Sequence, residues 1–387
     1  MQPDIPDLSH EFPLKPGIAY LNHAAVGVWP RCTRDAVTAF ADQNMVRGAA
    51  DYPEWLKTER ELRERLKRLV NASSVDDIAL CKNTSEALSL IAYGIAWNPG
   101  DNIVSTNQEF PSNRIVWESL KEKGVELRLA DISSNDPEAT MFSLCDKRTR
   151  LLTVSSVQYS TGLRMDLNRL SQFCSGHDIL FCVDAIQSLG ALTFDSQACH
   201  ADFVVADGHK WMLGPEGLAL FYSRSEARDQ LKLRQFGWHM VERAGDFDAI
   251  DWAPAKSARR FEPGSPNMVG IYALNASLSL LEDVGMDRVQ QILMEKTNRL
   301  REWIRGDDRL LLMGSERPER CSGIISLRVR GLDAKGHMVL YQRLMADGII
   351  CALRGGSIRL SPHFYTPDVA LTHFWERLFS HGSGVER

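Results

Sequence analysis

The stretch that most constrains this chain covers residues 201–222 and reads ADFVVADGHKWMLGPEGLALFY. Two short apolar runs, residues 203–206 and 218–222, are separated by an Asp-Gly turn, by Lys210 and by a segment that contains Gly and Pro. Short apolar runs bounded by Gly and Pro favour buried strands over helices. The stretch therefore predicts two strands, with Lys210 at a strand end, where a pocket can form.

A lysine in this position has two interpretations. A single lysine is usually a solvated surface residue. The alternative is an amine that forms a Schiff base with a carbonyl cofactor, which requires desolvation or a cationic neighbour to lower the amine pKa from about 10.4. The sequence around Lys210 does not by itself decide between the two.

Asp184 favours the Schiff-base interpretation. It ends an apolar run, residues 179–183, so its carboxylate is expected at the mouth of a sheet and away from water. A buried carboxylate is costly unless a cation pairs with it. A protonated pyridine nitrogen is one such cation, and the pairing keeps the pyridine ring an electron sink.

Composition favours small metabolites as partners. The chain has 45 Lys and Arg against 50 Asp and Glu, a formal charge of −5. This balance argues against nucleic acid or an anionic membrane as the main partner. The cysteines include no C-x-x-C pair and are predicted to be reduced core residues. No stretch has the length of a membrane span and the N-terminus lacks a signal-peptide core, so we expect a cytoplasmic protein. Because the cysteines lack metal-ligand spacing, we expect no bound metal.

Two motifs in order, DAIQ at residues 184–187 and GHK at residues 208–210, carry a family resemblance. They resemble the class V aminotransferase family of fold-type I pyridoxal phosphate (PLP) enzymes, which includes cysteine desulfurases, isopenicillin N epimerase and C–S lyases. The resemblance runs from about residue 20 to residue 365. It implies an α/β fold, in which a large domain with a mixed, mostly parallel sheet flanked by helices is followed by a smaller α+β C-terminal domain. The implied boundaries are 1–25 for an N-terminal segment near the active site, 26–268 for the large PLP-binding domain and 269–387 for the small domain.

The resemblance also assigns residues to the cofactor. Lys210 would hold PLP as a Schiff base and remove the substrate α-proton, and Asp184 would keep the ring nitrogen protonated. The other implied contacts are Thr84 and Ser85 at the phosphate, Phe110 stacked on the ring, Gln187 at the ring oxygen, His209 near the phosphate, and Ser265 reaching the phosphate of the partner subunit in a homodimer. Thr84 and Ser85 could instead be ordinary helix caps, and Phe110 a core anchor. Asp207 would repel the phosphate unless it points away or an arginine balances its charge.

A second implied set of residues faces the substrate. It consists of Arg359 at the α-carboxylate, Asn22 and His23 in the entry segment, and Tyr159 where desulfurases carry an asparagine. Asn22 and His23 could equally belong to a plain loop. In cysteine desulfurases a loop with a persulfide-forming cysteine precedes the arginine, but only Gly-Gly-Ser-Ile separates Arg354 from Arg359 here. Cys351 lies in an apolar run and is interpreted as a core residue.

The reaction depends on the fate of the carbanion that forms when the α-proton is removed. Our leading hypothesis is a β-eliminating C–S lyase that acts on a cysteine-derived amino acid without a persulfide cysteine. An aminotransferase is the alternative, and an amino-acid epimerase is a further one. A noncatalytic scaffold is disfavoured, because a scaffold does not need a buried Asp184 opposite Lys210.

Overall fold

The computed structural model describes residues 8–379, so residues 1–7 and 380–387 of the predicted terminal segments lie outside the described range. The helices are α1 (Arg31–Arg47), α2 (Tyr52–Leu69), α3 (Thr84–Gly94), α4 (Ser112–Glu118), α5 (Pro137–Ser143), α6 (Leu167–Gly176), α7 (Ser225–Arg228), α8 (Met268–Val284), α9 (Met286–Arg305), α10 (Ala334–Ala346) and α11 (Asp368–Leu378). The strands are β1 (Ala19–Tyr20), β2 (Ile78–Cys81), β3 (Asn102–Thr106), β4 (Glu126–Ala130), β5 (Thr149–Ser155), β6 (Leu180–Asp184), β7 (Phe203–Asp207), β8 (Ala219–Ser223), β9 (Leu310–Met313), β10 (Ile325–Val329), β11 (Ile349–Ile350), β12 (Ala352–Arg354) and β13 (Ser357–Leu360). Every helix within residues 8–379 is too short or too polar to span a lipid bilayer.

A seven-stranded sheet forms the centre of the larger unit, in the order β2-β8-β7-β6-β5-β3-β4. Strands β3 to β7 run parallel to one another, whereas β8 is antiparallel to both β7 and β2. The mixed, mostly parallel sheet implied by the resemblance is confirmed. The two strands predicted within residues 201–222 are β7 and β8, which pair directly with Ala206 opposite Leu220.

The central strands are buried along nearly their whole length because helices cover both faces of the sheet. Every residue of β3, β7 and β8 is buried. Alternate residues of β7 pack into separate apolar clusters, with Val204 on one face and Val205 on the other. Parallel strands bring their carboxyl ends to one edge, so Asp184 at the end of β6 and Asp207 at the end of β7 lie at the edge where ligands of such sheets bind.

The smaller unit is built on a four-stranded antiparallel sheet in the order β12-β13-β10-β9. Helices α9 to α11 pack on it around a separate apolar cluster. The N-terminal segment joins this unit, because β1 pairs in parallel with β11 and Asn22 bridges to Ser361. The described part of the predicted N-terminal segment, residues 8–25, therefore connects to the small unit.

Helix α8 packs on the larger unit. The Tyr272 ring lies 4.8 Å from that of Phe40 on α1, and Ser277 Oγ lies 2.6 Å from Thr33 Oγ1. The predicted boundary at residue 269 falls at the start of this helix. The packing of α8 argues for a boundary after it, near Gly285.

A buried ion cluster fixes α2 to the rest of the large unit. The guanidinium of Arg63 pairs at 2.6 Å with both Glu59 and Glu262, and it also donates to the carbonyl of Ile78 on β2. Glu59, Glu262 and His239 form a group of the type that binds metals. In this structure Arg63 supplies a single positive charge that both carboxylates share.

Replacing Arg63 with methionine should destabilise the fold strongly, because two buried carboxylates lose their cation. We expect the free energy of unfolding to fall by about 3–5 kcal/mol. Arg65→Met on the same helix is the matched control, since its partner Glu282 is partly exposed and keeps Arg68; its cost should be about 1 kcal/mol or less. Urea unfolding of the three proteins measures the difference, and equal losses for the two variants would contradict the assignment.

Candidate active site

A cavity of about 210 Å³ lies at the carboxyl edge of the large sheet, between the two units. It is lined by residues from β6, the turn after β7, the start of α3, the loop after β3, and the β12–β13 hairpin. The lining residues are Ala24, Ala25, Asn83, Thr84, Ser85, Phe110, Ser112, Tyr159, Asp184, Ile186, Gln187, Asp207, His209, Lys210, Arg354 and Arg359.

Lys210 stands in the turn that follows β7 and is 7% exposed. Burial lowers the pKa of its amine, and the charge of Asp184 opposes this shift. Its Nζ lies 5.5 Å from the centroid of the Phe110 ring. The N-terminal segment touches the backbone of the same turn, because the Gly27 amide donates to the His209 carbonyl at 2.6 Å. A Cβ at Gly27 would lie 2.1 Å from the Lys210 carbonyl oxygen, so this approach requires glycine.

Asp184 is 2% exposed. Its carboxylate accepts a hydrogen bond from the backbone N–H of Ile186 at 3.1 Å. Burial raises the pKa of Asp184, and the negative charge of buried Glu109 raises it further. A cation placed in the cavity beside Asp184 would reverse this effect. A protonated ring nitrogen is a cation of that kind.

Glu109 is a buried carboxylate that sequence reasoning left unassigned. One of its oxygens accepts from the Ser155 backbone and the Gln158 amide, and the other accepts from the Asn113 amide at 3.0 Å. These neutral donors hold the loop after β3, which presents Phe110 to the cavity. The Phe110 ring is 41% exposed and meets the Tyr159 ring edge-on at 5.3 Å, which places it in the cavity wall and not in the core.

The amide of Gln187 has a fixed orientation. The indole N–H of Trp211 donates to Gln187 Oε1 at 2.8 Å, and Gln187 Nε2 donates to the Ala24 carbonyl at 3.0 Å. An indole nitrogen is only a donor, so the amide oxygen must face Trp211. Gln187 lines the cavity, and the second N–H of its Nε2 is a donor of the kind that a ring oxygen accepts.

The start of α3 can accept an anion. Asn83 caps the helix by accepting from the Glu86 backbone, which leaves the hydroxyl of Thr84 buried without a hydrogen-bond partner. Ser85 Oγ donates to Ser112 Oγ at 2.9 Å. Unpaired backbone N–H groups and the positive end of the helix dipole favour a phosphate at this place. Asn83 does the capping that Thr84 or Ser85 could have done. The Thr84 hydroxyl is therefore free for a ligand, whereas the Ser85 hydroxyl is bonded to Ser112 and stays a predicted contact.

Asp207 lines the cavity beside His209. Its Oδ1 lies 2.9 Å from His209 Nδ1, although the two atoms lack the geometry of a hydrogen bond. The sequence left open whether Asp207 points away or pairs with an arginine. The structure instead brings it against the histidine two residues later.

Arg359 is a buried cation without a carboxylate partner within residues 8–379. It is 1% exposed, and its Nη1 donates to the Tyr159 carbonyl at 2.7 Å and its Nη2 to Asn22 Oδ1 at 3.3 Å. Its Nε is buried without a hydrogen-bond partner. Burial lowers the pKa of Arg359 to about 9, and the charge of Arg354 contributes to the shift. An anionic ligand group would supply the missing partner of this guanidinium. Asn22 holds the guanidinium in place.

Three predicted site residues do not line the cavity: Asn22, which contacts Arg359 instead, His23 and Ser265. His23 is fully buried and bonds to the Ser361 carbonyl at 2.9 Å and to the Tyr365 hydroxyl at 2.6 Å. Its burial lowers its pKa, with the charge of His363 as a further cause. Ser265 is exposed and does not line the cavity of its own chain. The sequence analysis also missed Arg354, which lines the cavity beside Arg359.

A larger cavity of about 770 Å³ opens behind the ends of β5 and β6, where Ser156 and Ser188 form part of its wall. No lysine lines it, and its carboxylates, such as Asp166 and Asp195, are exposed. It therefore lacks the desolvated amine and the buried acid that distinguish the smaller cavity.

Residues 19–366 match the family model described as Aminotransferase class-V. The chain belongs to the class V aminotransferase family. Members of this family use PLP, and this chain is a PLP-dependent enzyme.

The enzyme resembles cysteine desulfurases in sequence and in fold. It is 30% identical over 393 residues to a probable cysteine desulfurase of Methanothermobacter thermautotrophicus, with 96% of each chain covered. A lysine-to-alanine mutant of C-DES, with glycine covalently linked to its PLP cofactor, matches with a TM-score of 0.89 at 22% identity, covering 97% of this chain and 99% of that one. The complex of the cystine C–S lyase C-DES with its product cysteine persulfide matches with a TM-score of 0.87 at 22% identity, over 95% and 98% of the two chains. These two structures share the fold of this enzyme.

The residues of the cavity fit PLP at each of its functional groups. Asp184 offers a buried carboxylate to the ring nitrogen, and the desolvated amine of Lys210 suits the aldehyde. The unpartnered Thr84 hydroxyl at the start of α3 suits the phosphate.

Borohydride reduction of the holoenzyme should fix the cofactor to Lys210, because this is the lysine that lines the cavity. Peptide mass spectrometry should find the adduct on the peptide that contains Lys210, and the Lys210→Ala protein should carry none. Lys232→Ala, which removes an exposed lysine on the segment after α7, is the control and should keep the adduct. An adduct on any other lysine would show that the wrong amine has been assigned.

Proposed function

We propose that this enzyme is a β-eliminating C–S lyase that acts on a cysteine-derived amino acid and releases the sulfur-containing fragment directly. The observation that carries the proposal is that no cysteine lines the cavity, although the described range includes every cysteine of the chain. The β12–β13 hairpin turns between Arg354 and Ser357, which leaves no room for a loop with a sulfur acceptor. Cys351 is 1% exposed, and burial raises the pKa of its thiol to about 12. A protonated, buried thiol is a poor nucleophile.

The fold of the enzyme also supports the C–S lyase proposal. C-DES, which shares the fold, is described as a cystine C–S lyase whose product is cysteine persulfide. A lyase of this type needs no cysteine to accept sulfur, which agrees with the cavity described above.

The cavity residues divide the work of such a reaction. Bound PLP would supply an electron sink that makes the substrate α-proton acidic. Arg359 would hold the α-carboxylate, and the amine of Lys210, with its lowered pKa, would take the α-proton onto Nζ. Asp184 would hold the proton on the ring nitrogen. Phe110 covers the cavity with a ring that cannot titrate.

Tyr159 is the best-placed group to protonate the leaving sulfur. It lines the cavity, whereas His23 and His363 are fully buried and hydrogen-bonded to other parts of the protein. Elimination then gives a thiol, and hydrolysis of the remaining fragment gives pyruvate and ammonia.

The products separate the candidate reactions. An S-substituted L-cysteine should yield equal amounts of pyruvate and thiol without an added keto acid, because the C–S bond breaks in the same reaction. Cys351→Ala should keep this activity unchanged, whereas Lys210→Ala should lose it. Accumulation of the pyridoxamine form without thiol release would favour an aminotransferase. Loss of α-deuterium without either product would favour an epimerase.

We also propose that the enzyme is a homodimer that uses the surface of residues 236–252. Phe236, Phe247 and Trp252 are 63%, 79% and 58% exposed and line one surface cavity, and Ile250, which is 96% exposed, lies between the last two in the chain. Such an accumulation of exposed large apolar side chains marks an interface. A second copy is the expected partner, because exposed Ser265 could then reach the phosphate site of the neighbouring subunit.

A double variant, Ile250→Glu with Trp252→Glu, should be monomeric by light scattering, because charges would be buried in the interface. Val369→Glu is the control, since this 71% exposed valine lies on α11 of the small unit, and it should leave the mass unchanged. A dimer that survives the double substitution would place the interface elsewhere.

A further inference from the structure

Arg354 is a second arginine in the cavity whose charge is not neutralised by the protein. It ends β12, is half-buried, and donates through Nη1 to the carbonyl of its neighbour Leu353 at 2.9 Å. No carboxylate of residues 8–379 forms an ion pair with it, as judged by contacts of up to 4.0 Å. By contrast, Arg63 and Arg320 elsewhere in the fold are paired with glutamates.

The β12–β13 hairpin sets the spacing between the two arginines. Arg354 is opposite Ser357, and Arg359 is opposite Ala352, so the two arginines are diagonal neighbours on one face of the hairpin. Diagonal neighbours on antiparallel strands lie about 7–8 Å apart. Two long side chains with this separation can hold two different groups of one small ligand.

The positive side chains of the cavity are not all matched by its carboxylates. Arg354 lowers the pKa of both Arg359 and Lys210, so the three positive groups are close enough to repel one another. Of the cavity carboxylates, Asp207 lies against His209 and Asp184 is placed for the ring nitrogen. One substrate α-carboxylate neutralises only one guanidinium.

We propose that Arg354 determines specificity by binding a second anionic group at the end of the substrate side chain. This inference rests on the proposed lyase function, because it places the α-carboxylate on Arg359 and the side chain towards Arg354. The preferred substrates are then S-substituted cysteines that carry a carboxylate on the substituent. An arginine–carboxylate contact with several hydrogen bonds discriminates against a neutral isostere.

Binding is tested with isosteric ligands that cannot react. Glutarate and glutaramate differ only in that one terminal carboxylate is replaced by an amide. Calorimetry on the holoenzyme should show that glutarate binds about tenfold more tightly, as expected for one charged hydrogen-bonding contact. Arg354→Gln should abolish this preference and Arg354→Lys should keep part of it. Arg330→Gln, which removes an exposed arginine after β10, is the control for net charge and should preserve it.

Turnover is tested with a matched substrate pair, S-carboxymethyl-L-cysteine and S-carbamoylmethyl-L-cysteine. The wild-type enzyme should favour the carboxymethyl compound in kcat/KM by about the same tenfold factor, and Arg354→Gln should lose this preference.

Equal binding of glutarate and glutaramate to the wild-type enzyme would overturn the proposal without any variant. Equal weakening of both ligands in Arg354→Gln would also overturn it, because Arg354 would then share the α-carboxylate. An Arg354-dependent preference for glutarate without pyruvate formation would support the inference and refute the lyase function.

Discussion

The burial of Asp184 beside Lys210 is the constraint on which the rest of the site depends. Both side chains stand at the carboxyl edge of a sheet whose strands β6 and β7 are apolar up to their final aspartates, and both are almost fully shielded from water. Asp184 is left with a raised pKa and Lys210 with a lowered one. The protein therefore maintains a carboxylate that needs a cation and an amine that loses its proton easily, which are the two groups that PLP chemistry requires.

The substrate end of the site is built by a different part of the fold. Arg359 belongs to the small unit, but its guanidinium is held by Asn22 of the N-terminal segment and by the backbone of Tyr159 in the large unit. The same N-terminal segment contacts the Lys210 turn through Gly27 and accepts a hydrogen bond from Gln187 at Ala24. This segment thus connects the cofactor end with the substrate end, and the site exists only when both units are assembled.

Adjacent residues in the chain have unrelated roles, and this limited the prediction from sequence. Asn22 and His23 were both predicted to line the pocket, but Asn22 braces Arg359 while His23 is buried against Ser361 and Tyr365. Glu109 was passed over beside Phe110, although its carboxylate is enclosed by donors from three separate segments. These roles depend on contacts between residues far apart in sequence.

The sequence by itself determined the strands around Lys210 and Asp184, because short apolar runs that end in a charged residue are local patterns with few structural solutions. The cofactor and the assignment of Thr84 and Ser85 to its phosphate came from the resemblance of several motifs, in order, to a known family. Only the tertiary structure decided that Asp207 lies against His209 and that Arg354 faces the same cavity as Arg359. The physical reason is that strand register and the packing of two units fix where a charge ends up, and neither is encoded in any single stretch of the chain.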